Sequence, residues 1–581
     1  MAMYIDIVPN RKSPPAILLR ESYRDNGKVK KRTLANLTQW PPERINHIRK
    51  LLKGEFDCGI PLEKTPISGP IFAVLFVLKA IADRLQITSV IGKQKLAKVA
   101  LLLIFARISA KGSRLHALKW AQDHAIAETI GIKELKLKDL YQAPDWLSDN
   151  QERIEKRLFA KRHPDEKIPD LFLYDVTSSY LEGVENELAD WGYNRDKKSG
   201  KKQIVIGLLT DNQGEPVAVR VFEGRTGDTA TVPEQIRTLS HEFGVKRVTF
   251  VGDKGMVRGP QIKQLQSSGF NYITSVTKKE IAKLLKEGNL RYELFSDKIA
   301  EVEEVQEEVY EKKNRNNEII QEKIKRIVRY VIRRNPIRME EMRKNRDACL
   351  RKVIELASDQ TQYLQKGARR KPEVALRKVN EKISRYKLSS AVTAELSGNE
   401  GRVLKVKTDR SGYERVGKSD GCYVIKTDLS KKIISARDVH DRYKDLSKVE
   451  RAFKLMKTEF LEIRPIFVRL ESRTRGHVFG CMLAYMILRE MRRGLGRVFR
   501  IDDDGRLLVD ERNVLEALSR LTLLYYETDT GEMIPDIAEP DERQKKILNA
   551  LGVSIPSFGL ARDRVKAIAK KSDKSNCHKP R

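Results

Sequence analysis

The chain has 581 residues, and its 113 Lys and Arg outnumber 80 Asp and Glu to give a net charge of +33. That length is too great for one compact core and predicts about two to four domains, while the apolar content excludes a disordered chain. The positive surplus points to a polyanionic partner, and five scattered cysteines with no CxxC pair exclude zinc fingers and a disulfide framework.

In chain order, MYIDIV at the start reads as a strand rather than a secretory leader. AILLRESY and KVKKRTLANL, joined at Asn26-Gly27, predict a basic β-hairpin within residues 1–40. Its Lys28, Lys30, Lys31 and Arg32 suit either a DNA backbone or a solvated, pairing-resistant edge. Residues 41–165 read as helical and as a DNA-end-binding region. Their apolar runs IFAVLFVLKAIADRL and AKVALLLIFAR are interrupted by charge or too short to cross a bilayer, so no membrane partner is expected and the location is cytoplasmic, with the nucleoid.

Residues 170–277 alternate strands and helices: LFLYDV, QIVIGLLTD and PVAVRVFEG as strands, then helix, RVTFVGD, helix and FNYITSVT. That order predicts an α/β fold of the ribonuclease-H-like kind, with a mixed sheet. Residues 278–429 break the rhythm and read as an insertion. Its long charged stretches, 303–334 and 336–359, are predicted helical, and GRVLKVKTD and GCYVIKTD strand-like. The core resumes over 430–495, and 496–581 is a C-terminal helical region with a basic, disordered tail from about Lys570.

Three acidic positions carry the chemistry. Asp175 follows LFLY, Asp253 follows VTFVG, and Glu450 sits in the helical run DRYKDLSKVERAFKLMK. Each alone is better explained as a turn cap or a surface charge. Together they are carboxylates at strand ends and on a packed helix, where the functional groups of α/β sheets gather. Oxygen-only ligands of this kind can hold a pair of Mg²⁺ ions against a phosphodiester. On one helix, Tyr443, Leu446, Glu450 and Lys457 share a face, which would set Tyr443 and Lys457 against the same DNA segment.

These runs resemble bacterial insertion-sequence transposases of the DDE class, in the branch with a Tyr-Arg-Glu-Lys signature on the catalytic helix. The resemblance rests on LYDVTSSY, GYNRDKKSGKKQIVIGLLTDNQGEPVAVRVFEGRTGDTATV, VTFVGDKGM, YKDLSKVERAFKLMK and RPIFVRLESRTRGHVFGCMLAYMIL, in matching order over about 170–490. It implies a ribonuclease-H-like (retroviral-integrase-like) core, two Mg²⁺ ions with Mn²⁺ as the alternative, and strand cleavage followed by 3′-hydroxyl transfer. It also implies that Asp175, Asp253 and Glu450 are the catalytic metal ligands and that Tyr443 and Lys457 contact DNA. Where the signature has arginine this chain has Leu446, so Arg442 and Arg451 are the neighbouring candidates for that charge.

The loop NRDKKSGKK, with Lys197, Lys198, Lys201 and Lys202, is a candidate phosphate clamp or else a solvated hairpin tip. The implied partner is double-stranded DNA, at element ends and target, held by at least a homodimer in the synaptic complex. Two other readings stay open: a nuclease that cuts without joining, and a silent DNA-binding protein on the same fold.

Overall fold

The fold is that of a computed structural model, which describes residues 2–556 apart from 11–13, 26–27, 54–66, 165–167, 184, 197, 314–318, 368, 399–400, 460, 464–465, 500–509 and 528–532. The turn expected at Asn26-Gly27, Lys197 of the basic loop and the expected C-terminal tail lie outside the described residues. The chain divides into two compact units.

One unit holds residues 1–77, 122–129 and 494–581. The expected hairpin is present as Ala16–Asp25 against Lys28–Asn36, and Ala2–Val8 adds a third antiparallel strand. The same unit carries a second three-stranded sheet, Ile67–Ile71, Thr522–Glu527 and Met533–Ile537. The all-helical reading of 41–165 and of the C-terminal region is thereby corrected. Leu523 and Ile537 from these strands pack with Phe72 and Ala125 into a small core, so burial outweighs the helical pattern around them.

The other unit holds residues 78–121 and 130–493 and is built on an eight-stranded mixed sheet. Across it run 300–313, 319–334, 422–427, 271–275, 249–252, 171–180, 203–211 and 216–222. The strands 171–180, 249–252 and 271–275 are mutually parallel; every other neighbour is antiparallel. Strand Gln203–Asp211 is buried throughout and reads as the continuous apolar run of a two-sided sheet. At its centre Gly207 leaves room for Tyr174, whose Oη would stand 2.3 Å from any Cβ placed there.

The charged stretch 303–334 is the main correction to the expected secondary structure. It forms a long antiparallel hairpin, Ala300–Lys313 with Ile319–Arg334, whose second strand pairs with Cys422–Thr427. The buried side chains of Val328, Tyr330 and Ile332 fill a sub-core with Val424, and Arg329 spends its charge on Glu301 at 2.8 Å. Between Arg334 and Cys422 the chain leaves the sheet. There it builds the helices Pro336–Gln365 and Pro372–Arg385 and the hairpin Val392–Ser397 with Val403–Thr408, around a core of their own. Asn335-Pro336 is the start of that excursion, Asn335 capping the helix through its side chain to the Arg338 amide at 3.1 Å.

A long helix, Glu471–Leu495, runs through the core, with Val478, Phe479 and Cys481 through Leu488 buried. It approaches helix Leu137–Asp149 through Gly476, where a Cβ would meet the Pro144 carbonyl oxygen at 1.8 Å. Among the described residues no helix is long and apolar enough to cross a membrane.

Candidate active site

The parallel register decides where the first two carboxylates stand. Tyr174 pairs with Gly252 on the neighbouring strand, so the next residues, Asp175 and Asp253, emerge side by side. Asp175 was expected to close its strand. Instead the strand runs on to Tyr180, because Val176 to Tyr180 keep pairing with Gly207 to Gln203 on the other side. What ends at this point is the parallel partner: after Gly252 the chain turns, the Asp253 carbonyl accepting the amide of Met256 at 2.9 Å. The aspartates therefore sit where one strand stops and its neighbour continues, a step that opens a cleft at the sheet's carboxyl edge.

The third carboxylate comes from a helix broken once. Ser435 caps Ala436–Lys444 through the Asp438 amide at 3.1 Å; Asp445 interrupts; Leu446–Lys454 continues with Leu446, Val449, Ala452 and Phe453 buried. The second segment packs on strand 171–180 and leaves Glu450 exposed at its outer side. Asp175, Asp253, Glu450, Tyr443 and Leu446 all line one cavity of about 330 Å³. Asn335, Tyr423, Lys444 and Ser447 complete its wall.

Tyr443 reaches Asp253 Oδ1 at 2.9 Å and Ser275 Oγ at 2.8 Å. An ionised carboxylate only accepts, so the phenol donates to Asp253 and takes the Ser275 hydroxyl hydrogen in return. Burial and the neighbouring Asp253 charge hold the Tyr443 hydroxyl protonated far above its ordinary range. Burial first, then the charges of Glu450 and Asp253, push the Asp175 carboxyl up to about 7, against the Val176 amide it accepts at 2.8 Å and the nearby Arg195. Such a cluster is short of positive charge. Oxygen donors with mutual repulsion fit a divalent cation, although among the described residues no three His, Cys, Asp or Glu side chains are already gathered tightly enough to grip one.

Lys457 departs from the expected common face. After Lys454 the helix widens into a π-helical turn over Leu455–Glu459. That turn winds fewer degrees per residue, and a seven-residue step no longer returns to the same side. Lys457 is buried, and its ammonium bonds Asp196 Oδ1 at 2.6 Å and Thr177 Oγ1 at 3.0 Å. Leu446 is buried on the cavity wall; Arg442 pairs with Asp170 at 3.1 Å, and Arg451 is exposed. In the basic loop, Lys198 is exposed over the Tyr180 ring, Lys201 pairs with Glu182 at 2.8 Å, and Lys202 is half-buried.

Sequence reasoning missed Asp196, Ser275 and the Arg195–Asp228 ion pair that ties the basic loop to the helix beginning at Asp228. Asp196 had a signal, being the one acid among the lysines of NRDKKSGKK. Ser275 had none, since nothing local marks it as facing Tyr443.

Residues 166–487 match the family described as "Transposase DDE domain", which is more than half of the chain. The chain belongs to the insertion-sequence DDE transposases. Residues 5–59 of this transposase match a second family, "IS1634 family transposase, N-terminal domain". The transposase cleaves and transfers DNA strands, and DDE domains use divalent metal ions for that chemistry. No curated protein matches it. Among solved structures, a piggyBac transposase synaptic complex with hairpin DNA is similar at 8% identity and a TM-score of 0.32, covering 77% of this chain and 76% of that chain.

Proposed function

We propose that Asp175, Asp253 and Glu450 are the acidic triad of this transposase, on a ribonuclease-H-like core formed by 170–277 and 430–495. One observation carries the reading: three carboxylates from segments far apart in sequence border the same cavity, with a tyrosine holding one of them. The triad would hold two Mg²⁺ ions, or Mn²⁺, which when bound activate the attacking water or 3′-hydroxyl and stabilise the leaving oxygen.

The protein's own residues do the rest. Tyr443 and Ser275 fix the Asp253 carboxylate in one orientation, and the Val176 amide fixes Asp175. Preset ligands need no rearrangement as the transition state forms. Lys198 and Lys202 of the loop, with Arg451 on the helix, supply charge to phosphates near the cut, and Lys197 and Lys201 belong to the same loop. Lys457, locked to Asp196, holds that loop against the catalytic helix. Arg442 and Tyr443, in the last turn of Ala436–Lys444, would face the DNA. The N-terminal region and the helices of 41–165 bind element ends, the excursion within 278–429 adds contact surface, and synapsis of two ends takes at least a homodimer.

The test is nicking and strand transfer on a plasmid carrying the element ends, with Mg²⁺. Asp253→Asn and Glu450→Gln are expected to abolish both steps, including transfer of pre-cleaved ends, while end binding persists. Cutting by Asp253→Asn at the wild-type rate would place the metal site elsewhere.

A further inference from the structure

A second cavity, about 440 Å³, is lined by Ser275, which also belongs to the network that holds Asp253. Four cations line it, Lys254, Arg258, Lys279 and Lys426, against one carboxylate, Glu280, which stands 4.0 Å from the Lys426 ammonium. Lys254 follows Asp253 directly in the chain.

Two helices begin at this cavity. Gly259–Ser267 starts at its wall; Pro260 has no amide hydrogen, and the N-cap, Arg258, offers no side-chain acceptor to the Gly259 and Gln261 amides. Lys278–Lys286 starts there too, its Thr277 cap taking only the Glu280 amide, at 3.3 Å. A Cβ on Gly259 would meet nothing within 4 Å, so the approach to the first helix start is open. Helix starts present amide hydrogens and partial positive charge, the arrangement that receives phosphate oxygens.

Thr274 supplies an independent sign. It lines the cavity, is only 2% exposed, and its Oγ1 has no hydrogen-bond partner. A buried hydroxyl left unmatched beside four cations is placed to donate to an oxyanion.

We propose that this cavity seats a phosphate of the DNA strand that threads the active site, close to the scissile bond. The proposal rests on the triad reading, because the shared Ser275 and the Asp253–Lys254 step are what set the two cavities on one strand path. The seat would hold the strand in register while the carboxylates work on the neighbouring bond, so that binding and alignment are divided between the two cavities.

The experiment measures binding, in chelator so that no cutting occurs, of full-length Asp253→Asn protein to element-end DNA. The duplexes carry a single neutral methylphosphonate at each position around the cut. One position is expected to weaken binding about tenfold, and Arg258→Ala with Lys279→Ala should remove that sensitivity. Thr274→Val should weaken binding of unmodified DNA several-fold while raising the melting temperature, an outcome that damage to the fold cannot produce. Undiminished sensitivity in the Arg258 and Lys279 double variant would overturn the phosphate seat, as would a Thr274→Val protein of unchanged affinity. Failure of the triad reading shows separately, as Mg²⁺-dependent cutting by Asp253→Asn.

Discussion

Tyr443 and Asp253 are 190 residues apart and joined by a 2.9 Å hydrogen bond from phenol to carboxylate. That bond crosses from helix Ala436–Lys444 to the step in the sheet, and it couples the aim of a carboxylate to the seating of a helix. Removing it should separate alignment from affinity. Tyr443→Phe keeps the ring and is expected to lower single-turnover nicking by about tenfold with DNA affinity nearly unchanged, at a stability cost of about 1 kcal/mol. Equal losses of affinity and rate would instead make Tyr443 a DNA contact.

The Asp175 carboxyl gives a pH signature in metal-free protein. Its folded value, about 7, lies above the roughly 3.9 of an unfolded aspartate. Between those values the unfolded chain has already lost a proton that the folded one keeps, so this group lowers stability as pH rises from about 4 to about 7. Melting temperatures in chelator should fall across that window, and Asp175→Asn should flatten the fall. Mg²⁺ should raise the melting temperature more at pH 8 than at pH 5, since a cation binds the ionised carboxylates. An Asp175→Asn protein with the wild-type slope would assign that slope to other groups.

Lys457 and Asp196 are both almost fully buried, at 9% and 2% side-chain exposure, and their charges meet at 2.6 Å. Lys457→Met takes the ammonium away from the buried Asp196 carboxylate and is expected to cost about 3–5 kcal/mol by chemical denaturation. Lys457→Met with Asp196→Leu should recover most of that stability. Cleavage recovering together with stability identifies a positioning residue. Recovery of stability alone would mean that the ammonium acts on DNA.

Gly207 and Tyr174 form a packing pair inside the sheet. Gly207→Ala forces its new methyl against the ring, which should cost about 1–3 kcal/mol. Tyr174→Phe, by deleting the nearest atom, is expected to return part of it in a double-mutant cycle. Additive effects of the two substitutions would show that the sheet relaxes around the clash.

Several parts of this protein are readable without any structure. Strands 171–180, 203–211 and 249–252 announce themselves as apolar runs, and the acidic positions 175, 253 and 450 stand out against them. The buried helix 471–495 is equally plain. The stretch 303–334 reads locally as helix because its spaced apolar residues suit an amphipathic helix as well as a half-buried strand. Its choice is made by pairing with 422–427, about a hundred residues later, a contact no local window contains.

By itself, then, the sequence determined which chemical groups are present and in what order: two aspartates after strands, a glutamate on a helix, and lysines between. It did so because apolar periodicity and residue type are local properties of the chain. Only the tertiary structure decided how those groups meet. Parallel register sets Asp175 beside Asp253, and a widened helical turn swings Lys457 inward to Asp196. A second, cationic cavity arises where two helix starts meet a wall that includes Ser275. Each of these depends on packing between distant segments, where burial and charge pairing outweigh what any single segment prefers.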